Sequence, residues 1–404
     1  VLLYRLLMTL LASRELMTRA IAGDRDALRA RLGLVPAPEK QDRIWLHAAS
    51  NGELASARPV IDRLTTQGRS LLITVNTDSA LALAKGWALP NTHVLLAPVD
   101  LPGPTRRVIR NWGVTAHITL ESDLWPQRIL DTPGPVLVLG GRLTERSAKG
   151  WQRFKPMVAR VMGKLGFLSA QDPDSARRFA QFGLPTGAQG PIFDLKALYT
   201  PPTDSPSDDL QAAFARADTW LAASTHEGED AIVLQAHLQT LKQRPDLRLI
   251  LAPRHPKRAD AVAAMIVEHG LSLARRSTGD DPNGTQVYLA DTFGEMHLWY
   301  ALAGVTFVAG SLTDRGGHTP YEPAAFGSAI LHGPDTANFR AAYQRLEHAN
   351  AARMCPDADS ISAALMQLKT AQDQVAMGQA AKQALRQEAD FEQLMHDITK
   401  TLNA

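Results

Sequence analysis

A single cysteine, Cys355, in 404 residues leaves no internal disulfide framework and no cysteine-built zinc site. It points to a reducing, hence cytoplasmic, compartment. An excess of charge is lacking too: 43 Lys and Arg face 41 Asp and Glu, a formal charge of +2. No global basic field therefore announces a nucleic-acid partner. Three cofactor signatures are missing as well. There is no Gly-x-Gly-x-x-Gly after a strand, no Gly-Lys-Ser/Thr phosphate loop and no Gly-x-Ser-x-Gly elbow. Their absence weakens dehydrogenase, NTPase and α/β-hydrolase readings. What is present is the balance of a globular chain, 45% hydrophobic and 21% charged. It is long enough for about two to three domains.

Long apolar runs are also scarce. Residues 1–12 are apolar, but Arg5 interrupts them and Arg14 and Glu15 close them. Such a run is too short to span a bilayer, which takes about 20 apolar residues. A secretory signal would place charge before the run and a small-residue cleavage site after it, and neither is clear. Residues 14–31 are rich in Arg with some acids. Two readings stay open: an amphipathic helix lying on anionic lipid, or an ordinary first helix packed on the protein.

Short β-rich runs alternate with helical spacing along the rest, as in βα units around parallel sheets. Strands are expected at 44–48, 71–75, 94–97, 116–120, 136–139 and 166–170, then at 219–223, 247–252, 286–290, 305–309 and 329–332. Helix-like spacing fills segments such as 54–67 and 102–111. The stretch 199–209, with three prolines among Ser, Thr and Asp, reads as a linker. The expected organisation is an N-terminal segment (1–40), a Rossmann-like domain (41–198), a linker (199–217), a second Rossmann-like domain (218–373) and helical residues 374–404 returning towards the first domain. Two such α/β domains facing a cleft, with a short N-terminal apolar helix, is the architecture this predicts.

Candidate chemistry sits where strands run into helices. Ser50-Asn51-Gly52-Glu53 follows the first strand. There Glu53 reads either as a general base or as part of a capping box with Ser50. Glu121-Ser122-Asp123 follows another strand and could bind substrate hydroxyls or cap a helix. Gly140-Gly141-Arg142 and Glu145-Arg146 suit an anionic group, or a plain surface ion pair. In the second half, Ser224-Thr225-His226 offers hydroxyls at a helix start, a phosphate site. Arg254-His255 offers a guanidinium and an imidazole. Gly310-Ser311 and Arg315-Gly316-Gly317-His318 allow close backbone approach, and Glu322 could accept bonds from ribose hydroxyls. Together these loops favour a nucleotide-linked ligand, although strand-end Gly and Ser are also ordinary turn residues. His237, His269, His348 and His396 lack partners at metal spacing, and no metal site or other cofactor emerges. Trp125, Trp151 and Trp220 read as core or interface anchors.

Seven co-linear motifs carry a family resemblance: His47-Ala48-x-Ser50-x-Gly52-Glu53, Glu121-x-x-Leu124-Trp125-Pro126, Arg142-Leu143-x-Glu145-Arg146-Ser147, Ser224-Thr225-His226-x-Gly228-Glu229, Pro253-Arg254-His255-Pro256, Asp291-Thr292-x-Gly294-Glu295 and Gly316-Gly317-His318-x-Pro320-x-Glu322-Pro323. The chain resembles, over essentially its whole length, the 3-deoxy-D-manno-octulosonic acid (Kdo) transferases of lipopolysaccharide biosynthesis, glycosyltransferase family 30. The resemblance implies a GT-B fold and inverting, metal-free transfer of Kdo from CMP-Kdo to a lipid A precursor at the cytoplasmic face of the inner membrane. It implies Glu53 as general base. Ser224, Thr225, Arg254, Gly294, Glu295 and Glu322 would hold the donor, and Ser50, Gly52, Glu121 and Arg142 lie on the acceptor side. The sequence departs from the family at Asn51, Gly140-Gly141 and Thr319. It departs also at Gly190-Pro191-Ile192-Phe193-Asp194, where the usual lysine is missing and Lys196 stands out of register. Two alternatives accompany this reading. One is a GT-B transferase or epimerase using another nucleotide sugar, the other a catalytically silent nucleotide- or lipid-binding relative.

Overall fold

A computed structural model describes residues 2–386 and 388–404. Val1, in the expected N-terminal segment, and Gln387, in the expected C-terminal helix, lie outside the described residues. The chain divides into two compact units, Val1–Leu198 with Gln387–Ala404, and Tyr199–Arg386.

The first unit is built on six parallel strands: β1 (Arg43–Ala48), β2 (Leu71–Val75), β3 (Thr92–Leu96), β4 (Val114–Leu120), β5 (Val136–Gly141) and β6 (Phe167–Ala170). Their order is β3-β2-β1-β4-β5-β6. Strands such as Leu71–Val75, Leu-Leu-Ile-Thr-Val, are buried throughout and mostly apolar because helices cover both faces of the sheet. One layer gathers Leu46, Leu54, Ile61, Ile73 and Ile118, all fully buried. The C-terminal helix Glu388–Leu402 closes that layer with Leu394, Met395 and Ile398. The opposite layer holds Ile129, Val138, Met162 and Phe179.

The N-terminal helix Leu2–Ile21 packs on the first unit with much of its apolar surface in solvent. Its polar groups hold it to the unit: Tyr4 Oη donates to Asp100 at 2.6 Å, Arg5 to Gln127 at 3.1 Å, and Glu15 pairs with Arg31 at 2.7 Å. Ala12 is its buried contact, whereas Leu6, Leu7, Leu10 and Leu11 are more than half exposed. No helix among the described residues is long and apolar enough to cross a membrane.

The second unit carries seven parallel strands: β7 (Thr219–Thr225), β8 (Arg248–Pro253), β9 (Leu273–Arg275), β10 (Val287–Leu289), β11 (Val305–Val308), β12 (Ala329–His332) and β13 (Ala352–Met354), in the order β13-β12-β11-β7-β8-β10-β9. Every named strand pairing in both sheets is parallel. The edge strands β9 and β13, three residues each, were not expected from the sequence. Three residues are too few to show an alternating or continuous apolar pattern. Residues 199–217 are not a featureless connection, since they contain the helix Asp208–Ala213. Its Leu210 and Ala213, with Phe214, are buried in the core of the second unit. The helical stretch expected at 374–404 is divided as well. Helix Ala371–Leu385 packs within the second unit, where Gly378 meets the turn at Gly327, and only Glu388–Leu402 belongs to the first.

Candidate active site

In each sheet the strand order reverses beside the first strand, between β1 and β4 and between β7 and β11. Open α/β sheets bind ligands at such switch points, beyond the carboxyl ends of the strands. Both switch points are where the candidate loops lie. Strand-end Glu121 and Ser224 also take left-handed backbone, with φ of 48° and 63°. For residues carrying a Cβ this costs roughly 1 kcal/mol or more, a strain that clusters at functional sites.

In the first unit, Ser50 caps the helix Asn51–Ser56, its Oγ accepting from the Glu53 N–H at 3.3 Å. The Glu53 carboxylate turns back and accepts from the Ala49 N–H at 2.8 Å, so the capping and chemical readings of this loop share one geometry. Burial pushes the Glu53 carboxyl up to about 7, and the charges of Glu121 and Asp123 push the same way. The Ala49 hydrogen bond and Lys196 oppose the rise. A carboxylate balanced near neutrality is suited to take a proton from a hydroxyl.

Its neighbours are fixed by a relay. Trp45 Nε1 donates to Thr74 Oγ1 at 2.8 Å, and Nδ1 of the fully buried His47 lies 2.9 Å from both that hydroxyl and the Thr74 carbonyl. His47 Nε2–H then donates to Asp123 Oδ2 at 3.0 Å, an oxygen that also accepts from Trp125 and Asn76. Burial lowers the His47 pKa to about 4, and the charge of Arg128 contributes, so His47 is neutral at pH 7. Glu121 pairs with Lys196 Nζ. This changes the reading of the missing lysine. The turn Leu195–Leu198 seats Leu195 against Gly140 and delivers the Lys196 ammonium to Glu121 and into the field of Glu53. Offset in sequence, it occupies the carboxylate cluster in space. Arg142, after β5, is half-buried and its N–H donates to the Glu121 carbonyl at 3.2 Å. Gly52 is exposed on the first turn of its helix, and a Cβ there would stand 4.0 Å from Ser50 Oγ.

In the second unit the loops after β7, β8 and β11 converge. His226 and His318 stack with ring centroids 5.1 Å apart and join Nε2 to Nε2 at 3.0 Å. His255 meets the His226 ring edge-on at 6.0 Å. The exposed guanidiniums of Arg254 and Arg315 both bear on His226. Burial brings the His318 pKa down to about 4, with further lowering from His226 and Arg254. Gly310 is required here: a Cβ would stand 2.9 Å from the His318 ring. Arginines and imidazole N–H groups at a strand end suit a phosphate. Of these five residues, the sequence singled out Arg254 and His255 for their side chains, and only Arg254 as a donor-binding residue. The signal for the others lay in side chains brought together from three separate loops.

The remaining donor-side candidates divide. The Glu322 carboxylate accepts no hydrogen bond among the described residues, and burial pushes it up to about 7. Gly294 has φ +87° and open space beside its Cα. Glu295 is already engaged by Arg276 at 2.6 Å and by the Thr292 hydroxyl. Thr225 is fully buried and donates to Asp230 at 2.7 Å, so its side chain shapes the loop and only Ser224 presents a hydroxyl. Glu229 is likewise structural, accepting the N–H groups of His226, Gly310, Ser311 and Leu312. His237 is a satisfied core histidine between Trp220 Nε1 and the Gln286 carbonyl. Among the described residues no three His, Cys, Asp or Glu side chains are grouped to hold a metal ion.

Two parallel Rossmann-like sheets with polar loops at both switch points are those of the GT-B fold. The UDP-GlcNAc 2-epimerase from Neisseria meningitidis, solved with UDP-GlcNAc, shares this fold at a TM-score of 0.62 and 11% identity, over 89% of this chain and 100% of that one. The family is settled by sequence. The profile of the 3-deoxy-D-manno-octulosonic-acid transferases matches residues 26–197. The 3-deoxy-D-manno-octulosonic acid transferase of Haemophilus influenzae is 33% identical over 75% of this chain and 73% of its own length. That of Bordetella pertussis is 32% identical over 84% and 82%. The chain belongs to the Kdo transferase family.

Proposed function

We propose that the protein transfers Kdo from CMP-Kdo to a lipid A precursor, with inversion, and that Glu53 is the general base. The observation that carries this is the Glu53 carboxyl, buried beyond a switch-point strand and balanced near pH 7, in a chain of this family. In the proposed reaction Glu53 accepts the proton of an acceptor hydroxyl as that oxygen bonds to the anomeric carbon of Kdo. The bond from that carbon to the CMP phosphate oxygen breaks, and CMP departs with the electron pair. The leaving group is already an anion, so it needs charge stabilisation more than protonation. Arg254, Arg315 and the histidine cluster supply it, and Glu322 is free to accept ribose hydroxyls. The ready carboxylate at Glu53 weighs against a silent relative.

We place the enzyme at the cytoplasmic face of the inner membrane, with the exposed leucines of helix Leu2–Ile21 lying on the bilayer surface. Incubating the full chain with CMP-Kdo, generated in situ, and a tetra-acylated lipid A precursor tests the activity. A product heavier by whole Kdo residues supports the reading and counts the sugars added. No product overturns it in favour of a different donor or acceptor.

A further inference from the structure

The helix Pro126–Asp131 begins where the loop 121–125 ends, and its own N-cap residue gives it no side-chain cap. Asp100 supplies one from a distance. Its Oδ2 accepts the Gln127 N–H at 2.8 Å and its Oδ1 the Arg128 N–H at 2.9 Å. Asp100 is buried and is held in turn by the Tyr4 hydroxyl at 2.6 Å, while Arg5 holds the Gln127 side chain. The buried Arg128 guanidinium, 3.7 Å from Asp100, lies 5.4 Å from the centroid of the Trp125 ring. Trp125 Nε1 donates to Asp123 Oδ2 at 3.1 Å. A run of contacts thus leads from the first turn of helix Leu2–Ile21 to the Asp123 carboxylate.

A second run starts about three turns further along the same face of that helix. Glu15 pairs at 2.7 Å with the buried Arg31. Arg31 Nη2 also donates to the Asn76 carbonyl at 2.8 Å, and its Nη1 to the Ala97 carbonyl at 2.9 Å. The Asn76 side-chain amide then donates to Asp123 Oδ2 at 3.3 Å. Both runs begin on one helix and end on one oxygen. Apolar packing tolerates sliding, whereas hydrogen bonds of fixed length and direction do not, so this docking specifies a single seat for the helix.

We infer that Tyr4 and Glu15 are positioning residues of the site around Glu53: through Asp100 and Arg31 they fix the loop 121–125 and, with it, the Asp123 carboxylate. The helix is then part of the site as well as a surface for the bilayer. Asp123 is one of the charges acting on Glu53, so seating the helix sets the environment of the base. For its effect on the reaction the inference rests on the proposed role of Glu53; the positioning itself does not.

Two measurements on the full-length protein test it. With ¹⁵N-labelled tryptophan, the Trp125 indole N–H reports the bond to Asp123, its signal assigned by its loss in Trp125→Phe. In the double variant Tyr4→Phe with Glu15→Gln that signal should move, and its hydrogen exchange should quicken about tenfold. The Trp220 indole, bound to His237 in the second unit, should stay in place and shows that the variant is folded. The second measurement is kinetic. In the double variant kcat/KM at pH 8 should fall about tenfold with CMP affinity unchanged. Its pH inflection should move below the wild-type value, because Glu53 loses a fixed negative neighbour while Glu121 and Lys196 keep their pairing. A Trp125 signal identical to wild type, or both indole signals altered alike, overturns the positioning. So does a loss of rate with an unmoved inflection. A moved Trp125 signal in a protein whose wild type transfers no Kdo would leave the positioning standing and refute the activity. Transfer by the wild type with an unmoved Trp125 signal in the variant would do the reverse.

Discussion

Glu53 has two properties that pull in opposite directions. Burial and the charges of Glu121 and Asp123 favour its protonated form, while the Ala49 N–H and Lys196 favour the carboxylate. A base must be ionised to act, so kcat/KM should rise with pH through an inflection near 7 and level off above it. Lys196→Met removes a charge that favours ionisation, and its inflection should move to higher pH. An unmoved profile would detach Lys196 from the base. The stability consequence has the opposite sign to the rate. The raised folded pKa means that the native state binds more protons than the unfolded chain between about pH 4.5 and 7. Stability from this group is therefore complete at low pH and is lost as pH rises through 7. Glu53→Gln should gain about 1–3 kcal/mol relative to wild type between pH 5 and pH 8, read from urea unfolding at both values. The loop that carries Glu53 was legible as a strand-to-helix turn by its composition, whereas the role of base was favoured over that of cap only by the family resemblance. Lys196 was not legible, because a side chain that reaches a carboxylate 75 positions away leaves no local pattern. The His226–His318 contact, spanning 92 positions, was hidden for the same reason.

Helix Leu2–Ile21 shows how an element can be foreseen without its orientation. Its apolar character was plain, but which face meets the protein depends on Asp100, Gln127 and Arg31, none of them close in sequence. Because Tyr4, Arg5 and Glu15 reach inward, the leucines are left for another surface. Replacing Leu6 and Leu10, both more than 60% exposed, by Asp should abolish sedimentation with anionic vesicles. The melting temperature should stay within about 2 °C, as expected for exposed positions. Retained vesicle binding would contradict the membrane role. Most strands were readable at the same scale because parallel strands buried on both faces are short continuous apolar runs. The edges β9 and β13 escaped because length and register, rather than composition, define them.

At the scale of the whole molecule, the sequence carried the pairing of two parallel α/β units, since βα alternation repeats in each half. It carried the return of the C-terminus towards the first unit but not the division of residues 374–404, where one helix stays with the second unit and the last joins the first. That allocation is decided by tertiary contacts, such as Gly378 against Gly327 and Leu394 in the first core. The proposed Kdo transfer depends on a carboxylate at position 53. It is tested most directly by single-turnover transfer from CMP-Kdo to the tetra-acylated precursor, comparing wild type with Glu53→Gln at pH 8, alongside CMP affinity for both proteins. The account predicts a rate lower by about 10²–10⁴-fold in the variant with CMP affinity unchanged. Transfer at the wild-type rate by Glu53→Gln would contradict it.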